Sequence, residues 1–245
     1  MNTVIDVRNL NKTFYYFQQD YKVIPWLFTH KGNSEQMTAL NNVTFSVKKG
    51  EAVGFIGKNG AGKSTLMKLV AGVTFPSGGS VSVTGKVGAL INLSAGFDAN
   101  MTGRQNIYYK GMLLGISEEI VNSIMADIVE FVDIGEYFDM PLRTYSSGMS
   151  ARLGFALAVF SDPDILIIDE VFAVGDRAFQ EKSRQKTIKL FQSGKAILFS
   201  SHSDSLIRQF CNRVIYLRNS EIIYDGEVEK GLSLYWADTK AAMSK

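Results

Sequence analysis

The run Gly57-Lys58-Asn59-Gly60-Ala61-Gly62-Lys63-Ser64-Thr65 has the spacing G-x-x-x-x-G-K-[ST]. Glycines at those positions free backbone N–H groups to wrap phosphate oxygens, and a helix beginning after the last glycine adds partial positive charge from its N-terminus. Lys63 would reach the β- and γ-phosphates, and the Ser64 hydroxyl would take a coordination position on Mg²⁺. A simple tight turn can share this spacing. The flanks separate the two: strand-like Ala52-Val53-Gly54-Phe55-Ile56 precedes the run and helix-like Leu66-Met67-Lys68-Leu69-Val70-Ala71 follows it.

A second chemical feature lies downstream. Ile165-Leu166-Ile167-Ile168 is uniformly apolar, as a central parallel strand should be, and it ends in Asp169-Glu170. The C-terminal end of such a strand faces the ligand crevice, so Asp169 can hold Mg²⁺, directly or through water, and Glu170 can orient and polarise an attacking water. The alternative is a pair of carboxylates capping the next helix. Between the two features stands Tyr145-Ser146-Ser147-Gly148-Met149, a small-residue turn running into a helix. Alone it reads as ordinary helix capping; ahead of the Asp169-Glu170 strand it becomes a second candidate anion site.

The elements that must position these groups alternate. Residues 3–8 and 43–47 read as strands, as do 80–85 and 87–91. Ile120, Val121, Ile124, Met125, Ile128, Val129 and Val132 recur at helical spacing, with an apolar face meant for a core. From Ile165 onward strands and helices alternate, which implies a parallel sheet flanked by helices. The stretch from Tyr15 to Met37, crowded with Tyr15, Tyr16, Phe17, Tyr21, Trp26, Leu27 and Phe28, reads as an insertion. It serves either as a surface loop tucking its rings inward or as a docking surface for a membrane partner or lipid headgroups.

Composition narrows the function classes. The 245 residues suit one large α/β domain, the 46% hydrophobic and 20% charged fractions are those of a globular protein, and a net charge of +2 gives no basic face for nucleic acid. Cys211, the single cysteine, cannot form an internal disulfide and reads as a buried position, in keeping with a reducing compartment. The N-terminus lacks a signal-peptide pattern, and no apolar stretch approaches the roughly 18 residues of a membrane span. Any membrane role is therefore expected through a partner.

With phosphate loop, Ser-Ser-Gly turn, carboxylate-ended strand and Ser200-Ser201-His202-Ser203 in this order, the chain resembles the nucleotide-binding subunit of ABC transporters over nearly its whole length. The resemblance implies an α/β P-loop NTPase fold: a mainly parallel core sheet, an antiparallel β subdomain, and a helical subdomain inserted at about residues 92–160 of a single domain spanning 1–245. It implies ATP and Mg²⁺ as cofactors, with Gly57, Asn59, Gly60, Ala61, Gly62, Lys63, Ser64 and Thr65 around the phosphates. Ser146, Ser147 and Gly148 correspond to the signature motif, which in that family contacts the γ-phosphate bound to the other subunit's loop, so one chain carries two half-sites of an ATP-sandwich homodimer. His202 resembles the switch histidine that bonds the γ-phosphate, completing a catalytic set with Lys63 and Glu170. Asp176 matches the aspartate of the loop that crosses the dimer interface, and Phe14, or Tyr15 beside it, sits where the family stacks a ring on adenine.

The departures from the family pattern point to a branch. Tyr145, Ser147 and Met149 replace residues of the commoner Leu-Ser-Gly-Gly-Gln, and the usual glutamine before Met101-Thr102-Gly103-Arg104 is missing, with Asn92 the nearest polar stand-in on the metal side. Tyr-Ser-Ser-Gly-Met, Asp-Glu-Val-Phe-Ala-Val-Gly-Asp, Thr-Gly-Arg-Gln-Asn and Tyr-Phe-Asp-Met-Pro-Leu are similar to the ATPase subunits of bacterial polysaccharide exporters for O-antigen, capsule or teichoic acid, in their short form. The partners so implied are a second copy, a multi-span permease and a lipid-linked polysaccharide, with the chain peripheral on the cytoplasmic side of the inner membrane. Chromosome-maintenance heads of the same fold need a long coiled coil, and translation-associated members carry two ATPase domains; neither signature is present here.

Overall fold

The computed structural model describes residues 2–17, 34–91, 93–169 and 175–243. Six strands form the main sheet in the order β5-β6-β7-β3-β8-β9: β5 (Val87–Leu90), β6 (Ile165–Asp169), β7 (Ala196–Ser200), β3 (Ala52–Ile56), β8 (Arg213–Arg218) and β9 (Glu221–Gly226). The first five run parallel and β9 returns antiparallel to β8. β3 and β7 are buried along their whole length, as strands covered on both faces must be. A second sheet, β2-β1-β4, is antiparallel and built from β1 (Thr3–Phe17), β2 (Ser34–Lys48) and β4 (Gly78–Val83). Core sheet and antiparallel sheet thus stand as expected.

The helices fall into two groups. α1 (Lys63–Val70) packs between the two sheets, where Leu66, Met67, Leu69 and Val70 join Ile5, Val43 and Phe45 in one core. The other face of the main sheet is covered by α5 (Arg177–Phe191), α6 (Asp204–Phe210) and α7 (Val228–Met243), with part of α4 (Ser147–Phe160). A separate core belongs to α2 (Gly103–Leu113), α3 (Glu118–Val132) and the opposite side of α4, centred on Ile107, Val121, Ile128, Leu153 and Leu157. The helical spacing of residues 120–132 is therefore core packing.

One strand expectation changes. β1 and β2 do not stop at residues 8 and 43; they stay paired, through several register shifts, out to Phe17↔Ser34. Tyr15, Tyr16 and residues 34–37 are thus strand, because each gains a cross-strand partner, and the Tyr16 hydroxyl donates to Glu35 at 2.6 Å. Residues 18–33 of the aromatic-rich stretch lie outside the described residues. β4 pairs with β1 and so belongs to the antiparallel sheet.

The motifs that marked the branch meet in space. Thr102 caps α2 with a reciprocal Gln105 bond, Arg104 forms a two-pronged pair with Asp139 at 2.7 and 3.1 Å, and Thr102 bridges to Pro141. Asn106 is fully buried: its amide donates to the carbonyls of Asp98, Met101 and Thr102 at 2.9–3.1 Å and accepts the Asp98 N–H at 2.8 Å. Replacing Asn106 by leucine keeps the volume but strands these backbone groups in the interior. The expected loss is about 2–4 kcal/mol, read as a lowered denaturant midpoint.

Candidate functional site

The loop from Gly57 to Thr65 joins β3 to α1, and two of its glycines are required by their surroundings. At Gly57, with φ of 147°, a Cβ would lie 2.3 Å from the Leu217 carbonyl oxygen; at Gly62, with φ of 106°, it would lie 2.4 Å from that of Ala39. Only glycine fits either position. Gly62 caps α1, so the first N–H groups of the helix point into the loop without intrahelical acceptors. Lys63, 7% exposed, folds its ammonium back to donate to the carbonyls of Gly57 at 2.5 Å and Lys58 at 3.1 Å.

A cleft of about 370 Å³ opens over this loop, lined by residues 59–65, Asp169, Ser200, His202 and the strand segment Met37, Thr38 and Ala39. The fold brings these groups together through the parallel sheet: the C-terminal ends of β3, β6 and β7 all open on the same side. Ser64 is exposed and Asp169 half-buried, so a hydroxyl and a carboxylate share the cleft. Phe14 and Tyr15 are strand neighbours of this wall: Phe14 pairs with Met37 and Tyr15 with Gln36. Asn92 and Glu170 lie outside the described residues.

Ser146, Ser147 and Gly148 are not among the residues lining that cleft. Ser146 caps α4, its hydroxyl accepting the Met149 N–H at 3.2 Å, and Ser147 is exposed at the helix N-terminus. Asp176 caps α5 in the same manner, accepting the Phe179 N–H at 2.9 Å, and pairs with Arg152 at 2.7 Å. The Phe179 N–H and the Arg152 guanidinium hold the Asp176 carboxyl below the usual carboxylate range. Arg152 also lies over the Phe179 ring at 4.9 Å and donates to the Val132 carbonyl at 3.4 Å. It ties the α4 helix that begins at the Ser-Ser-Gly turn to the loop preceding α5. The sequence pattern does not single out Arg152; its place one turn into α4 is the available signal.

Lys110 is likewise not singled out by the pattern. It donates to the Leu93 carbonyl at 2.7 Å and lies 4.3 Å from the centre of the Phe97 ring, anchoring the loop next to residue 92. Burial pushes its pKa down to about 8 from 10.5. Between those values the unfolded chain holds a proton that the folded chain has released, so this residue's contribution to stability rises with pH across that window. The melting temperature of the native chain relative to Lys110→Met is therefore expected to increase on going from about pH 7.5 to about pH 9.5. Cys211, by contrast, has its thiol pushed up to about 12 by burial, which fits a packing role.

Comparisons with known proteins agree with this arrangement. The ABC transporter family profile matches residues 40–173. The O-antigen export system ATP-binding protein RfbB of Klebsiella pneumoniae is 43% identical over 242 residues, covering 96% of this chain and 98% of that protein. The teichoic acids export ATP-binding protein TagH of Bacillus anthracis is 39% identical over 235 residues, 96% of this chain; the chain spans only 43% of that relative's length. Among solved structures, a dimeric ATP-binding cassette in a post-hydrolysis state bound to ADP and Pi aligns with a TM-score of 0.69 at 22% identity, covering 91% of this chain and 98% of that one. At such identity the likeness is one of fold. Loop, cleft and relatives together establish that the chain belongs to the ABC transporter family.

Proposed function

We propose that this chain is the ATP-hydrolysing subunit of an exporter of lipid-linked polysaccharide, O-antigen in the first reading. The observation that carries the ATPase part is the single cleft in which the glycine loop, Ser64, Asp169 and His202 meet. Lys63 exchanges the Gly57 and Lys58 carbonyls for β- and γ-phosphate oxygens, a stronger bond because both partners are charged. Ser64 and Asp169 offer hard oxygen donors that suit Mg²⁺, completed by phosphate oxygens and water; among the described residues there is no cluster of three or more His, Cys, Asp or Glu that would hold a metal alone. The bound ion would neutralise charge on the phosphates. Glu170 polarises the attacking water and His202 bonds the γ-phosphate.

The placement of Ser146, Ser147 and Gly148 away from that cleft supports a site shared between two copies. Each copy's α4 N-terminus and signature residues face the other's loop, so negative charge on the γ-phosphate favours the closed pair and its loss releases it. Asp176 belongs to the same interface, and Asn92 to the metal side. Phe14, with Tyr15 beside it, supplies the ring for adenine next to Met37.

A membrane-spanning partner is supported by the exposed apolar residues Val73, Phe75, Met112, Leu113 and Leu114, of which Val73 and Leu114 border one groove. Among the described residues no helix is long and apolar enough to cross a membrane. The exposure of Tyr15 and Tyr16 supports a second contact, through the aromatic-rich stretch, with that partner or its lipid-linked cargo. The near full-length likeness to an O-antigen export protein supports the cargo; the likeness to TagH favours teichoic acid as the second reading, with capsule beside it. Cells whose sole copy carries Lys63→Ala should accumulate lipid-linked glycan on the cytoplasmic face and lose surface polysaccharide. A normal glycan surface in those cells contradicts the reading, and the sugar that accumulates distinguishes the cargoes.

A further inference from the structure

Asp204 opens α6 two residues after His202, and α7 grips it from outside. Its carboxylate accepts the Trp236 Nε1–H at 2.5 Å and lies 3.9 Å from the Arg208 guanidinium, which pairs with Glu229 of α7 at 2.8 and 3.3 Å. Underneath, Ile207 is fully buried against β3: a Cβ added at Gly54 would meet its Cδ1 at 3.1 Å. α6 is therefore held on two sides, and the turn bearing His202 runs from the end of β7 into it.

α7 is itself fixed to the sheet beside the phosphate loop. Asp238 accepts from the Tyr216 hydroxyl at 2.9 Å and from Arg218 at 2.5 Å, and the Tyr235 ring meets Tyr216 edge-on at 5.7 Å and Trp236 at 5.3 Å. Burial, aided by Asp238, pushes the Tyr216 hydroxyl up to about 12, so it remains a donor at neutral pH. Leu217, the next residue of β8, is the one whose carbonyl abuts Gly57. Trp236 is 44% exposed, an unusual place for a large ring unless its polar edge is used, and that edge is aimed at Asp204.

We propose that Trp236, acting through Asp204, is a positioning residue for ATP hydrolysis: the indole bond sets the start of α6, and with it the His202 turn in the cleft. The proposal rests on the reading of His202 as the γ-phosphate contact. Small displacements of a group that touches the reacting phosphate are costly in rate while leaving ground-state binding intact.

The test is steady-state ATP turnover by the whole chain. Trp236→Phe keeps a smaller ring beside Tyr235 and removes the donor; kcat should fall about 10-fold with KM for ATP within about twofold of the native value. Asp204→Ala should lose at least as much, since it also removes the carboxylate that faces Arg208, and the double variant should be no worse than Asp204→Ala, because the indole bond is already gone there. Asp204→Asn, which keeps an oxygen acceptor, should stay within about threefold of native turnover. Native kcat in both Trp236→Phe and Asp204→Ala, with turnover lost in His202→Ala, overturns the positioning role and leaves the reading of His202 in place. Native turnover in His202→Ala overturns that reading itself. A kcat loss that Asp204→Asn shares in full, or that tracks a fall in melting temperature, marks a merely structural contact and also overturns the proposal.

Discussion

Lys63→Ala is expected to lower ATP turnover by at least about 100-fold and to weaken nucleotide binding. The side chain is the one cation that the glycine loop itself encloses, buried to 7% exposure with its ammonium over the Gly57 and Lys58 carbonyls. Removing it would take away the charge proposed to face the β- and γ-phosphates, and it takes that donor from two loop carbonyls. Lys63→Arg should not restore activity, since a planar guanidinium cannot occupy the space of a compact ammonium folded under the loop. Turnover by the purified variants, beside a thermal melt to show that the fold is intact, checks both. Native turnover in Lys63→Ala removes the assignment of the loop.

Glu170→Gln is expected to retain ATP binding while losing turnover by about 100-fold or more, the scale on which a general base acts. Glu170 follows Asp169, the last residue of β6, which lines the cleft with Ser64 and His202. Glutamine preserves size and hydrogen-bonding reach but cannot take a proton from water. Binding and chemistry therefore separate in this variant, whereas in Lys63→Ala they fail together. Nucleotide retention with single-turnover kinetics distinguishes the two, and unchanged hydrolysis in Glu170→Gln rules out its role.

Much of the site was legible because its chemistry is local in sequence. Glycines 57 and 62 announce a loop that must pass close to other backbone, and the contacts at Leu217 and Ala39 are the physical form of that signal. The apolar strand ending in Asp169 was equally readable, since the C-terminal end of a strand buried on both faces opens on the ligand crevice. What escaped were long-range ties. Nothing near Arg152 in the chain names Asp176 as its partner, nor near Lys110 the Leu93 carbonyl, because these pairings exist only once α4 and α2 have packed. The extent of β1 and β2 escaped for a related reason: an aromatic run reads as insertion until the partner strand that pairs with it is known. Conversely, Thr102, Arg104 and Asn106, read as marks of a branch, proved to be the capping and anchoring groups of one compact corner.

A site completed by two copies is tested most directly by the mass of Glu170→Gln in solution with ATP and Mg²⁺, measured by light scattering. The expected result is a particle of twice the single-chain mass that reverts to the single chain when ADP replaces ATP, and that fails to form when Ser147→Arg is added to block the N-terminus of α4. A single chain that binds ATP tightly and remains alone at every protein concentration would contradict the shared site.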